Sequence, residues 1–154
     1  MIGFRTSTQE DFDLLVELRL AFMLEGKDPP AAAEYQQAKE AYAAYLRDQL
    51  GHGCYVGYLG FVAGQPACVA GLLLYDLPPL LHRLRRKLGH VLNFYTLPAH
   101  RHQGYGTALM QFIVEDARRR GLDRLFLNAT AMGEPLYRKF GFVDSSPTAL
   151  QLDL

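Results

Sequence analysis

The chain has 154 residues, 49% of them hydrophobic, and its 16 basic and 16 acidic side chains give a formal net charge of +0. This size fits a single domain over residues 1–154 with a buried core, and the charge balance excludes attraction of nucleic acid or a membrane through a global field. Acids stand where a signal peptide would have its apolar run, and no apolar stretch approaches the roughly 20 residues that cross a bilayer, so we expect a cytoplasmic protein.

The N-terminal half predicts a strand, two helices and a hairpin. Leu15, Leu18 and Phe22 share an apolar helical face, with cap residues before it and Gly26 after it. Strong helix formers indicate a second helix that ends at Gly51. Two apolar runs joined by VAGQ are typical of paired antiparallel strands. The predicted segments are strand 2–6, helices within 7–26 and 31–51, and strands 54–61 and 66–77.

The C-terminal half continues the alternation of helices and strands. Leu80, Leu84 and Leu88 at four-residue spacing predict a short connecting helix. The whole element order predicts an α/β domain with one mixed, mostly antiparallel sheet of six to seven strands flanked by helices. Alternation in the last strand predicts an apolar edge that a homodimer would cover. The predicted segments are strand 90–98, a helix from about residue 105, strand 124–130, helix 133–141 and strand 148–154.

A glycine-rich turn precedes the helix that begins near Tyr105. Gly104 and Gly106 remove side chains that would keep an anion from the unpaired N–H groups of the first helical turn. Arg101, and His102 when protonated, would add positive charge there. The turn therefore indicates a phosphate site, although a glycine-capped helix without a ligand has the same pattern. It lacks the third small residue of a dinucleotide-binding fingerprint and the lysine of a nucleotide-binding P-loop.

The run LNFYTLPAHRHQGYGTALM, with LYRKFGF further along, resembles the GNAT acetyltransferase superfamily. The resemblance implies an acetyl-CoA-binding core over 89–143 and acceptor-side helices within 1–77. It implies that backbone donors of the turn hold the cofactor pyrophosphate and that the preceding strand holds the pantetheine arm and the thioester. The implied cofactor-binding residues are Phe94, Tyr95, Thr96, Arg101, His102, Gln103, Gly104, Tyr105, Gly106, Thr107 and Asn128.

The resemblance also implies a catalytic residue. A tyrosine at the position of Tyr137 protonates the departing thiolate in this family, and Gly141 and Phe142 fit the turn that follows it. The implied reaction is direct transfer of the acetyl group of acetyl-CoA to a primary amine, with Asn93 or Tyr95 in a water relay that removes the amine proton. A small-molecule acceptor is expected. The alternatives are a protein N-terminus or lysine as acceptor, and an acyl-CoA-binding module without catalysis.

Several other features have two interpretations. The basic face of the connector at 81–89 is either solvated or directed at the CoA 3′-phosphate. The tyrosines of the second helix either pack in the core or line the acceptor site, and nearby acids are either solvated caps or attract an ammonium group. The five histidines and the cysteines Cys54 and Cys68 show no ligand spacing, so no metal is expected. The tyrosines are Tyr35, Tyr42 and Tyr45, and the acids are Glu25, Asp28, Glu34 and Asp76.

Overall fold

Four helices flank one five-stranded sheet in the computed structural model, which describes residues 1–145 and Leu152. No helix of this described part is long and apolar enough to cross a membrane. The elements are β1 (Ile2–Thr6), α1 (Phe12–Leu24), α2 (Ala32–Gly51), β2 (Tyr55–Val62), β3 (Gln65–Asp76), β4 (Lys87–Thr96), α3 (Tyr105–Arg119), β5 (Arg124–Phe126) and α4 (Glu134–Lys139).

The strands follow one another across the sheet in chain order, with three antiparallel pairs and a parallel pair between β4 and β5. The β2–β3 hairpin turns at Ala63 and Gly64, which both have positive φ as a tight two-residue turn requires. The prediction of a mixed, mostly antiparallel sheet is therefore confirmed. The prediction of six to seven strands is wrong for the described residues, which form five. The sixth predicted strand, 148–154, falls almost entirely outside them, so the homodimer argued from it stays a prediction.

The connecting helix predicted from Leu80, Leu84 and Leu88 does not form. Leu80 and Leu84 are exposed in a loop, so their regular spacing has no core to face. Leu88 instead belongs to β4, which begins at Lys87 because its first residues pair with the end of β3. Pairing with an existing strand thus overrides the local helical pattern in this segment.

Two apolar cores lie on opposite faces of the sheet. Leu15 of α1 and Leu46 of α2 belong to one core, and Leu109 and Ile113 of α3 belong to the other. The helix α3 also has a buried polar contact with the sheet, in which the hydroxyl of Tyr58 donates a 2.6 Å hydrogen bond to Asp116. Each face of the sheet is thereby covered by its own helices.

The sheet opens between β4 and β5. These strands pair over three residues each, Leu88–His90 of β4 with Arg124–Phe126 of β5. In the described residues, their pairing ends there. The register of β4 against β3 also shifts near Asn93, which has a φ of +54°. Such an irregularity bends a strand and changes the direction of its side chains. The second half of β4 therefore presents backbone N–H and C=O groups to a gap instead of to a neighbouring strand.

Candidate active site

A cavity of about 670 Å³ occupies the gap between β4 and β5 and reaches the turn before α3. Eleven of the twelve residues that the sequence implicates line it. The exception is Gln103, which is exposed and donates its side-chain amide to the carbonyl of Ala99 at 3.2 Å. The lining residues are Phe94, Tyr95, Thr96, Arg101, His102, Gly104, Tyr105, Gly106, Thr107, Asn128 and Tyr137.

The turn before α3 presents backbone donors to the cavity. Gly104 is the N-cap of the helix, with a φ of +80°, and His102 before it also has a positive φ, +58°. The first N–H groups of a helix have no partner within the helix, and those of α3 begin at Tyr105. A Cβ added at Gly104 would meet no atom within 4 Å, so the space in front of these donors is open. An anion can therefore approach the helix terminus there.

Arg101 is held by protein groups in this structure. Its guanidinium forms a bidentate ion pair with Glu25, each N–O distance being 2.6 Å, and its Nε donates to the carbonyl of Thr96 at 3.0 Å. Hydrogen bonds from Arg101 also lower the pKa of the Glu25 carboxyl, which stays ionised at neutral pH. The charge of Arg101 is thus neutralised, and the turn offers an anion its backbone dipoles more than a free guanidinium.

Tyr137 lies in an aromatic environment at the other wall of the cavity. Its ring meets the rings of Phe94 and Phe142 edge-on, with centroid distances of 5.8 and 6.0 Å. Burial raises the pKa of its phenol above the ordinary value, so the group keeps its proton at neutral pH. A phenol that keeps its proton is in the state that a general acid needs.

A polar network that the sequence did not reveal lies under the irregular point of β4. Arg19 of α1 donates from Nη1 to the side-chain oxygen of Asn93 at 2.6 Å, and the Asn93 amide donates to the hydroxyl of Tyr42 at 3.0 Å. Arg19 and Asn93 line the cavity, whereas Tyr42 does not. One feature of the sequence could have indicated this network. Arg19 lies between Leu15 and Phe22 at helical spacing, which places a basic residue on an apolar helical face.

The tyrosines of α2 and the four acids singled out from the sequence differ in whether they line the cavity. Neither Tyr35 nor Tyr45 lines the cavity, and Tyr42 and Tyr45 stack on each other with ring centroids 5.9 Å apart. Among the four acids considered, Glu25 alone lines this cavity within the described residues. No group of three or more metal-ligating side chains lies close together in residues 1–145. Tyr42 thus belongs to the polar network, Tyr35 packs against the core covered by α1 and α2, and a role of these tyrosines toward the acceptor stays a prediction.

The basic connector lies far from the turn before α3. It joins β3 to the start of β4 at Lys87, whereas the turn follows the end of β4 at Thr96. Ten residues of strand separate the two ends by about 30 Å. No residue of the 77–86 connector lines this cavity, and contact of the connector with the CoA 3′-phosphate stays a prediction.

The sheet opening, the donor turn before α3 and the phenol of Tyr137 meet at this one cavity. Residues 13–142 match the model of the acetyltransferase (GNAT) family, and the chain belongs to this family. The prediction made from the two sequence motifs is confirmed.

Solved structures with the same fold support this assignment. A predicted acetyltransferase with acetyl-CoA from Clostridium acetobutylicum is 25% identical, with a TM-score of 0.82 over 99% of this chain and 96% of that one. A GCN5-related N-acetyltransferase from Ralstonia eutropha JMP134 is 28% identical, with a TM-score of 0.78 over 99% of each chain. Glucosamine-6-phosphate N-acetyltransferase from Arabidopsis thaliana shares the fold. It is 15% identical, with a TM-score of 0.71 over 99% of this chain and 98% of that one. No curated protein sequence matches the chain.

Proposed function

We propose that this protein transfers the acetyl group of acetyl-CoA directly to the primary amine of a small molecule. The observation that carries the proposal is the gap beside β4, which ends at the donor turn of Gly104 and has the Tyr137 phenol on its wall. The presence of acetyl-CoA with the similar protein from Clostridium acetobutylicum supports the choice of cofactor. The cytoplasm, where the free thiols of Cys54 and Cys68 would stay reduced, is the location we propose.

The cofactor would lie along β4 with its pyrophosphate at the turn. Backbone N–H groups from His102 to Thr107 would hold the phosphates, because the helix terminus favours negative charge and the glycines allow close approach. The unpaired edge of β4 from Phe94 to Thr96 would bond the pantetheine arm and polarise the thioester oxygen. Asn128, exposed on the opposite wall, would contact the pantetheine arm.

In the reaction, the amine nitrogen attacks the thioester carbon, a C–N bond forms, and the C–S bond breaks as the tetrahedral intermediate collapses. The sulfur leaves with the electron pair of the C–S bond and takes the phenolic proton of Tyr137. The acceptor loses one proton to water before attack, because an ammonium ion has no lone pair, and a second as the C–S bond breaks, and solvent returns a proton to the Tyr137 phenolate. Asn93 or Tyr95, which both line the cavity, would take part in this water relay.

The test combines cofactor binding with detection of the free thiol. Calorimetry should show that acetyl-CoA binds, and a panel of small amines should release CoA thiol in proportion to acetylated product identified by mass spectrometry. Peptides with a free N-terminus or a lysine form a second panel, since they test the protein-acceptor alternative. Binding without thiol release from either panel would contradict the transferase proposal and favour the binding-module alternative.

A further inference from the structure

The cavity contains a cation that the proposed chemistry does not use. Arg19 is half-buried on α1, and its guanidinium lies over the rings of Phe22 and Tyr42 at 5.6 and 5.8 Å from their centroids. These contacts and the hydrogen bond to Asn93 fix the position of the side chain. A fixed guanidinium facing a cavity is suited to recognition of a planar or multidentate anion.

Arg19 has no acidic partner among the described residues. Glu25 and Arg101, the other ionised side chains of the cavity wall, neutralise each other at 2.6 Å. A guanidinium has five N–H donors, and in the described part of the chain that of Arg19 bonds Asn93 alone. Its Nε is buried without a hydrogen-bond partner. A half-buried cation without a counter-charge is costly, and an anion in the cavity would supply that charge.

The position of Arg19 separates it from the proposed pyrophosphate site. Its partner Asn93 stands at the irregular point of β4, three residues or about 10 Å before Thr96, at which the strand ends. Asn93 precedes Phe94, where the strand would begin to hold the thioester. Arg19 reaches this point from α1, on the side of the sheet opposite α3. The cation therefore lies beside the reacting end of the cofactor and on the side from which the acceptor would enter.

We infer that the acceptor carries an anionic group, a carboxylate or a phosphate, close to its amine, and that Arg19 binds this group. The inference rests on the proposed function and specifies its substrate class. An amine without an anionic group enters as an ammonium ion, which the unpaired Arg19 charge repels. A molecule with both charges replaces that repulsion with a charge-assisted hydrogen bond to the Arg19 guanidinium.

The experiment uses acceptor pairs that differ in the anionic group alone. One pair is a free amino acid and its carboxamide, and the other is an aminoalkyl phosphate and the corresponding amino alcohol. The wild-type kcat/KM should favour the anionic member of at least one pair by about 10- to 100-fold, which is the range for a charged hydrogen bond. The pair that shows the preference identifies the anion as carboxylate or phosphate.

Variants of Arg19 assign the preference to this residue. Arg19→Gln should raise KM for the anionic member and leave kcat nearly unchanged. The kcat/KM values of the two members of the pair should then be nearly equal. Arg19→Lys should recover part of the preference, because it restores the charge without the planar donor pair. Arg47→Gln is the matched control, since Arg47 also lies over an aromatic ring, that of Phe12 at 5.1 Å, but outside the cavity.

Two results would overturn the inference while leaving the transferase intact. In the first, the wild type has equal kcat/KM for both members of each pair. In the second, Arg19→Gln lowers kcat/KM equally for both members. If no acceptor releases thiol, the transferase proposal fails, and calorimetric titration of the amino acid and the aminoalkyl phosphate into the CoA complex decides the anion site separately. Binding that Arg19→Gln abolishes supports the site, and no binding refutes it.

Discussion

At the scale of single residues, Tyr137 differs from the other phenols around the cavity in its surroundings. Two aromatic rings and partial burial keep it protonated, and no hydrogen bond within the described residues occupies its hydroxyl. Tyr95, by comparison, is buried beside the ionised Glu25, and burial followed by that charge raises its pKa. Tyr137 therefore has a proton to donate, and it lines the cavity.

Removal of the Tyr137 hydroxyl should slow the reaction without weakening cofactor binding. We expect Tyr137→Phe to lower kcat by roughly 10²-fold, near the lower limit for loss of a positioned acid, because a thioester already has a good leaving group. Tyr105→Phe, which removes another phenol from the same cavity, is the control and should change kcat little. Since the pKa of Tyr137 is raised, loss of the phenolic proton should lower wild-type kcat only above the ordinary titration range of a tyrosine, and Tyr137→Phe should lack this alkaline fall. Unchanged turnover by Tyr137→Phe, with chemistry rate-limiting, would make the residue structural.

At the scale of elements, the turn before α3 can be tested against a second glycine of the same geometry. Gly104→Val should abolish acetyl-CoA binding, because its side chain would project into the open space before the helix donors and would be strained at a φ of +80°. Gly121→Val is the control, since Gly121 has a φ of +69°, equal free space and no place in the cavity. Calorimetry should then separate loss of the site from backbone strain. Equal loss of affinity in both variants would refute the phosphate role of the turn.

The ion pair between Glu25 and Arg101 connects the end of α1 to this turn, and a double-mutant cycle tests what it does. Arg101→Gln should weaken acetyl-CoA binding about fivefold, because it leaves the Glu25 carboxylate unpaired near the phosphates. Addition of Glu25→Gln should restore most of the affinity. If Arg101 instead bound the phosphates directly, the double variant would bind as weakly as Arg101→Gln. Calorimetry of all four proteins distinguishes these results.

Elements with strong local signals were predictable, and those that depend on distant partners were not. Gly104, Gly106 and the apolar face after them identified α3 and its donor turn from the sequence. Leu88 was misassigned because pairing with β3, which no local pattern shows, draws it into β4. The ion pair of Arg101 with Glu25 joins residues far apart in the chain, and it was missed for the same reason. Spacing thus located the turn before α3, whereas the contact of Arg19 with Asn93 depends on how α1 packs against β4.

At the scale of the whole molecule, the cavity lies where the two cores meet. Tyr95 belongs to the core covered by α1 and α2, whereas Phe94 and Tyr137 pack against the core covered by α3. A ligand between β4 and β5 would contact both cores and occupy the strand edge that no neighbour pairs. Cofactor binding and global stability should therefore be coupled.

Acetyl-CoA should accordingly stabilise the entire fold in a single transition. At a free concentration of a hundred times Kd, a ligand that binds only the folded state adds about 2.7 kcal/mol to the free energy of unfolding. A chain of this length gains about 2–4 °C in Tm for each kcal/mol, so Tm should rise by roughly 5–11 °C. Calorimetry and circular dichroism should show the same shift, because the ligand contacts both cores. Gly121→Val should retain the shift and Gly104→Val should lose it. Splitting of the transition, with one part insensitive to acetyl-CoA, would show that the cofactor contacts one core alone.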